Sequence, residues 1–272
     1  MEIDFTKLQG NGNDFILVDE YKGTVIPDEM KSQFARLFCD RRFGIGGDGV
    51  LFLTPSERAD LGMRLFQEDE SEAEMCGNGI RCFAKYAFDQ GYVKEKCRVE
   101  TLAGVIGVEM AYEEDTFMAV ISMPDPKFDR KDIPATGEGE YLENVLGYDV
   151  RAVNTGVPHA IVFAEDVDAV DLEGLAPSIR NHASFPKGAN VNFVQITGKN
   201  SLKIRTFERG IEGETLSCGT GATAAAAMAH KLGMVGDEVD VETPGGNLVI
   251  SLGKETRMKG PAVTVFSGSI PF

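Results

Sequence analysis

The chain has 272 residues, 43% apolar and 26% charged, enough to bury one large core or two ordinary ones and unlike a disordered or fibrous protein. An excess of 43 Asp and Glu over 27 Lys and Arg leaves a formal charge of -16, which repels phosphate backbones and anionic bilayers and argues against nucleic acid and membrane surfaces as partners. The acidic start Met1-Glu2-Ile3-Asp4-Phe5 lacks the layout of an export signal, and no apolar run is long enough to cross a bilayer, so a cytoplasmic protein is expected.

Apolar runs predict strands at 16–18, 50–53 and 61–66. Met30, Phe34, Leu37 and Phe38 fall at helical spacing and predict a helix over 29–38. Arg42-Phe43-Gly44-Ile45-Gly46-Gly47-Asp48-Gly49 is a glycine-dense turn. Ile80, Phe83, Ala84, Ala87 and Phe88 predict a second helix over 80–90, closed by Gly91, and strands follow at 98–102, 105–110 and 117–122. Pro124-Asp125-Pro126 marks a boundary, followed by a polar stretch at 136–140. Strands then come at 160–163, 191–196 and 202–207, an alanine-rich helix at 222–232 closed by Gly233, and strands at 248–252 and 262–266. The fold class is α/β in content, of the α+β kind and strand-rich.

Cys39, Cys76, Cys82, Cys97 and Cys218 are odd in number and form no Cys-x-x-Cys pair, while His159, His182 and His230 lie far from them in sequence. Reduced thiols are expected, with no disulfide framework and no metal site. Cys39, Cys82 and Cys97 read as small apolar core residues. Cys76 and Cys218 differ because each sits in a repeat, Glu72-Ala73-Glu74-Met75-Cys76-Gly77-Asn78-Gly79 over Glu214-Thr215-Leu216-Ser217-Cys218-Gly219-Thr220-Gly221, with a helix following. At a helix start, orphan N–H groups and the positive dipole end lower a thiol pKa, and the glycines let backbone approach a carboxylate. Two such thiols from related halves suit removal of an α-proton on one face of a carbon and its return on the other.

These motifs and their surroundings resemble the diaminopimelate epimerase family. The resemblance is carried by Gly10-Asn11-Gly12-Asn13-Asp14-Phe15, Gly44-Ile45-Gly46-Gly47-Asp48-Gly49, the segment 71–82, Gly156-Val157-Pro158-His159, Ala189-Asn190-Val191, Phe207-Glu208-Arg209-Gly210 through Cys218-Gly219-Thr220-Gly221, and Pro244-Gly245-Gly246, all in the family's order. It implies two pseudo-symmetric domains, each a strand-rich barrel around a central helix, with the active site in the cleft between them. The expected division is 1–118 and 119–262, with the last strand, 263–272, returning to the first domain. It further implies an isomerase that inverts one α-carbon of LL-diaminopimelate to the meso isomer on the route to lysine, with no cofactor and no metal.

By the same resemblance Cys76 and Cys218 are the acid and base, and Gly77, Asn78, Gly219 and Thr220 bind the reacting carboxylate. Asn13, Asn190, Glu208 and Arg209 hold the rest of the substrate, Glu208 and Arg209 offering one negative and one positive group to its distal end. His159 and Glu208 tune the thiols. Two positions depart from the family: Gln67 stands where an asparagine is usual and is taken as its longer substitute, and Val157 stands in place of an asparagine and is given no role. The partner is a small molecule, and a homodimer is left open. A proline racemase-like isomerase, a thiol redox protein and a binding module without chemistry are the alternatives, separated by substrate and by exchange of the α-hydrogen with solvent.

Overall fold

The structure is a computed structural model and describes residues 2–272. The chain divides into two compact units, Met1–Ile121 with Lys259–Phe272, and Ser122–Met258. The first unit runs β1 (Glu2–Gly10), β2 (Asn13–Asp19), α1 (Lys31–Cys39), β3 (Gly49–Thr54), β4 (Leu61–Phe66), β5 (Glu72–Ala73), α2 (Gly77–Asp89), β6 (Lys96–Thr101), β7 (Gly104–Glu113) and β8 (Thr116–Ser122). The second runs β9 (Leu142–Val145), β10 (Tyr148–Asn154), β11 (Pro158–Phe163), α3 (Leu172–Arg180), β12 (Asn190–Gly198), β13 (Ser201–Glu208), β14 (Gly213–Thr215), α4 (Gly219–Lys231), β15 (Glu238–Thr243) and β16 (Gly246–Leu252). Strand β17 (Thr256–Pro261) leads into β18 (Val263–Pro271), which lies antiparallel to β1.

The two units repeat one pairing scheme. In the first, β1–β2 is antiparallel, β2–β3 parallel, β3–β4 and β4–β5 antiparallel, β4–β6 parallel and β6–β7 antiparallel. In the second, β10–β11, β11–β12, β12–β13, β13–β14, β13–β15 and β15–β16 follow with the same senses in the same order. Each parallel pair needs a crossover, and α1 and α3 supply the first in each unit while α2 and α4 supply the second.

In each unit a helix is enclosed by strands. Helix α2 touches β1, β2, β3, β4, β7 and β18, and α4 touches β10, β11, β12, β13, β15 and β16. The other helix packs outside: Phe34, Ala35 and Cys39 of α1 lie over Ile16, Val18, Val50 and Phe52, and Leu172, Ala176 and Ile179 of α3 over Ala160, Val162, Val191 and Phe193. Strands with a helix on both sides are buried on both faces, so β3 reads as a near-continuous apolar run and the first five residues of β12 are all buried although two of them, Asn190 and Asn192, are polar. The alanines of α4 follow from the same enclosure: Ala222, Ala224, Ala225, Ala226 and Ala229 have no exposed surface, and small side chains let strand backbones close around the helix on all sides.

Both inner helices begin earlier than their apolar spacing predicts. They start at Gly77 and Gly219, three residues before 80 and 222, because glycine's poor helix propensity hides a first turn that tertiary packing enforces. Helix α3 was not anticipated, since it is short and carries Pro177 inside, although the Asp171 side chain caps it by accepting from the Gly174 N–H at 3.1 Å. Cys39, Cys82 and Cys97 are buried, at 1%, 0% and 6% exposure, and the burial pushes each thiol up to about 12. No helix among the described residues is long and apolar enough to cross a membrane.

Enclosure of α4 predicts intolerance of larger side chains. Ala226→Leu should lower stability by about 1–3 kcal/mol through overpacking, read as a lower denaturant midpoint. An unchanged midpoint would mean that the strands around α4 yield to the added volume.

Candidate active site

Cys76 and Cys218 occupy the same place in their units. Each is the N-cap of the enclosed helix, with extended backbone (φ -136° and -121°) and no side-chain capping bond. Ser, Thr, Asp or Asn would normally answer the first-turn N–H groups there. A cysteine leaves that role to other groups and brings a thiol to the positive end of the dipole. The Ile80 and Ala222 N–H groups donate to the Cys76 and Cys218 carbonyls at 2.9 and 2.8 Å, closing both first turns alike.

The repeated upstream glutamates hold the strand that delivers each cysteine. Glu72 on β5 receives Arg64 of β4 through Nε and Nη2 at 2.6 and 2.9 Å, and Glu214 on β14 receives Arg205 of β13 through Nε and Nη2, both at 2.7 Å. Two parallel bonds from a guanidinium fix both separation and orientation, so these pairs pin short strands that have little ladder of their own.

Around Cys76 the neighbours are amides. The thiol donates to Asn13 Oδ1 at 3.4 Å, and Asn78 Nδ2 donates to the same oxygen at 3.3 Å. Asn13 keeps its oxygen turned this way because its Nδ2 donates to Asp48 Oδ2. Asp48 is held in turn by the glycine turn and by Arg41, whose Nη2 reaches Asp48 Oδ1 at 2.7 Å and Asp14 Oδ1 at 2.6 Å. Lys7 completes the network, 2.7 Å from Asp14 and bonded to the Gly46 carbonyl. Burial alone would raise the Asp14 pKa, but Arg41 and Lys7 outweigh it and hold the carboxyl at about 2.

Arg81, five residues after Cys76, carries no sequence-level signal beyond the motif. It is fully buried, donating to the Gly77 carbonyl at 3.2 Å, Asn11 Oδ1 at 2.8 Å and the Pro261 carbonyl at 3.2 Å, and burial draws it down to about 10. The matching position on α4 is Thr223, whose hydroxyl donates to the Gly219 carbonyl at 2.9 Å. Both side chains brace the first turn behind the cysteine.

Around Cys218 the neighbours are a hydroxyl and an imidazole. Thr220 Oγ1 lies 3.4 Å from Cys218 Sγ and 3.0 Å from His159 Nε2, and the Thr155 hydroxyl donates to the Thr220 carbonyl at 2.9 Å. His159 sits on β11, fully buried, with Nδ1 3.0 Å from Asn192 Nδ2. Burial, with Arg209 adding to it, lowers its pKa to about 3, so the imidazole is neutral across the physiological range. Asn192 itself went unremarked in the sequence. Its signal is a second asparagine two positions from Asn190, hence on the same face of the strand.

The distal residues cluster at the end of β13. The Arg209 N–H donates to Asn190 Oδ1 at 2.7 Å, and its Nη1 donates to the Lys187 and Gly188 carbonyls at 3.2 and 3.3 Å. Glu208 Oε2 accepts from the Thr215 hydroxyl at 3.0 Å. Asn190 lies opposite His159 in the parallel β11–β12 register, so His159, Asn190, Glu208, Arg209, Cys218, Gly219 and Thr220 all belong to one unit. The first unit supplies Asn13, Cys76, Gly77 and Asn78, and also Gln67, which lies in the exposed turn after β4 with its Oε1 accepting from the Ser71 hydroxyl at 3.2 Å.

The sequence profile described as diaminopimelate epimerase matches residues 5–127 and 151–265. A diaminopimelate epimerase from Methanothrix thermoacetophila is 58% identical over 99% of this chain and 96% of its own, and one from Archaeoglobus fulgidus is 48% identical over 98% and 96%. Among solved structures, a phenazine biosynthesis protein of the PhzF family from Bacillus anthracis superposes with a TM-score of 0.75 at 17% identity over the full length of both chains. A probable proline racemase from Agrobacterium radiobacter does so with 0.67 at 16% identity, covering 99% of this chain and 93% of its own. At those identities the likeness is one of fold.

Because the folded pKa of His159 lies below the unfolded value of 6.5, its contribution to stability is complete above pH 6.5 and is lost as pH falls toward 3. Over that window it should weaken folding by up to about 1.4 kcal/mol per pH unit. Denaturation midpoints measured from pH 7 to pH 4 should fall less steeply in His159→Gln than in the parent protein. Equal slopes would show that the imidazole is not buried neutral.

Proposed function

The chain belongs to the diaminopimelate epimerase family and is an isomerase, and on that premise we propose that Cys76 and Cys218 are the acid and base that invert one α-carbon of diaminopimelate. The observation that supports this most is the repetition of one constellation: a cysteine at the N-cap of an enclosed helix, once in each of two units built to the same pairing scheme. Inversion needs one group to take the α-proton from one face and a second to return a proton from the other. A thiolate and a thiol do this with no change in net charge, and their roles exchange in the reverse direction.

The carbanion that forms is stabilised through the substrate carboxylate, which the N–H groups of Gly77-Asn78 and Gly219-Thr220 and the two helix dipoles receive. The scheme asks for no cofactor. The two thiols face different hydrogen-bond partners: Asn13 Oδ1 can only accept from Cys76, on which the Arg81 guanidinium also acts, whereas the Thr220 hydroxyl can donate to Cys218. Arg209 takes the distal carboxylate and Glu208 the distal ammonium, with Asn13, Gln67 and Asn190 as amide partners. His159, being neutral, tunes Cys218 through Thr220 by hydrogen bonding and not by charge. The reaction serves lysine synthesis in the cytoplasm.

In D2O with LL-diaminopimelate and no added cofactor, the protein should incorporate deuterium at one α-carbon and form the meso isomer. Cys76→Ser and Cys218→Ser should each lower turnover about 100-fold or more, and wild-type turnover by either would end the two-thiol scheme. Arg209→Met should raise KM for diaminopimelate about 10- to 100-fold, as expected for loss of a charged hydrogen-bond partner. An unchanged KM would remove Arg209 from the binding set.

A further inference from the structure

Behind His159 lies a chain of fully buried polar groups that reaches the thiol in fixed order. Thr206 on β13 donates its hydroxyl to Asn192 Oδ1 at 2.9 Å, and Asn192 Nδ2 donates to the Ala160 carbonyl at 3.2 Å. These two contacts allow one orientation of the amide. Flipped, Asn192 would set its oxygen against the Ala160 carbonyl. In the orientation present, Nδ2 faces His159 Nδ1 at 3.0 Å and has a second hydrogen to give. The imidazole is neutral, so a nitrogen that accepts at Nδ1 leaves the proton on Nε2. That proton points at Thr220 Oγ1, 3.0 Å away, and Cys218 Sγ is 3.4 Å beyond it.

Gly221 ties the same amide to the cysteine motif independently. A Cβ there would fall 2.5 Å from Asn192 Oδ1 and 3.4 Å from Cys218 Sγ, so the glycine leaves room for the amide beneath the first turn of α4. Asn192 has no exposed surface and Thr206 only 2%, so their polarity has no role in solubility. The charged group acting on the imidazole is Arg209, at the end of β13.

We propose that Asn192 and Thr206 are positioning residues of this site: Thr206 and the Ala160 carbonyl lock the Asn192 amide, Asn192 holds His159 as the Nε2–H tautomer, and His159 thereby turns the Thr220 hydroxyl to donate to Cys218. This rests on the reading of Cys218 as a proton-transfer group. No charge moves along the chain. Each member presents its donor to the next, and the last hydrogen bond favours the ionised sulfur over the thiol. Against Cys76 stands an acceptor, Asn13 Oδ1.

The test is made on the full chain with nitrogen-15 labelled histidine. In the parent protein His159 should show a single Nε2–H tautomer from pH 5 to pH 8. Asn192→Leu removes the donor and should give a mixture of tautomers, with the acid limb of the kcat/KM profile for diaminopimelate raised by about one pH unit, a tenfold loss of rate on that limb. Thr206→Val keeps the shape of the side chain and should move both readouts in the same direction by less, which preserves the test should Asn192→Leu fold poorly. A merely structural defect would scale kcat/KM equally at every pH and leave the tautomer alone. The proposal is overturned by an Nδ1–H tautomer in the parent protein, or by variants that leave tautomer and acid limb in place. Undiminished turnover by Cys218→Ser would instead overturn the catalytic reading, a result on which the tautomer spectrum does not depend.

Discussion

A helix enclosed by strands exposes its first-turn N–H groups to whatever lies at its start, and in both units the residue at that start is a cysteine that caps nothing with its side chain. The rest of the molecule serves this arrangement. The strands close around α4 because it presents small or apolar side chains, and around α2, whose buried Arg81 is taken up by backbone carbonyls and Asn11. The two arginine–glutamate pairs hold the strands that deliver the cysteines, and the glycines that follow leave the helix ends open to an anion. A conventional cap at either position would satisfy the backbone and place no thiol at the helix start.

The two halves share a frame and differ in what they place against sulfur. Asn13, fixed through Asp48, Arg41, Asp14 and Lys7, offers an acceptor to Cys76, and Thr220, reached from His159, offers a hydroxyl to Cys218. The shared pairing scheme accounts for the frame, and the side chains set against sulfur differ. An acceptor set against one sulfur and a hydroxyl against the other make the two thiols chemically unlike in their hydrogen bonding.

Neutrality of His159 changes what the histidine can do. An imidazolium beside a thiol would favour the thiolate by charge and would be lost as pH rose. A buried neutral imidazole acts by hydrogen bonding alone across the physiological range.

Much of this was legible in the sequence. The Cys-Gly-x-Gly repeat, its upstream glutamates and the ordered motifs from Gly10 to Gly246 determined the family, the isomerase chemistry and the two-unit α+β fold, because these depend on residue types at fixed local spacing. The inner helices were visible in their apolar spacing, while their true starts at Gly77 and Gly219 and the whole of α3 were hidden by glycine and Pro177. Only the tertiary structure decided that Glu72 and Glu214 pin strands, that Arg81 braces a turn, that His159 is neutral and that Asn192 aims it. The reason is distance along the chain: Cys76 meets Asn13 across 63 residues and His159 meets Thr220 across 61. Burial and hydrogen-bond direction are properties of such meetings, and no local pattern of residues encodes them.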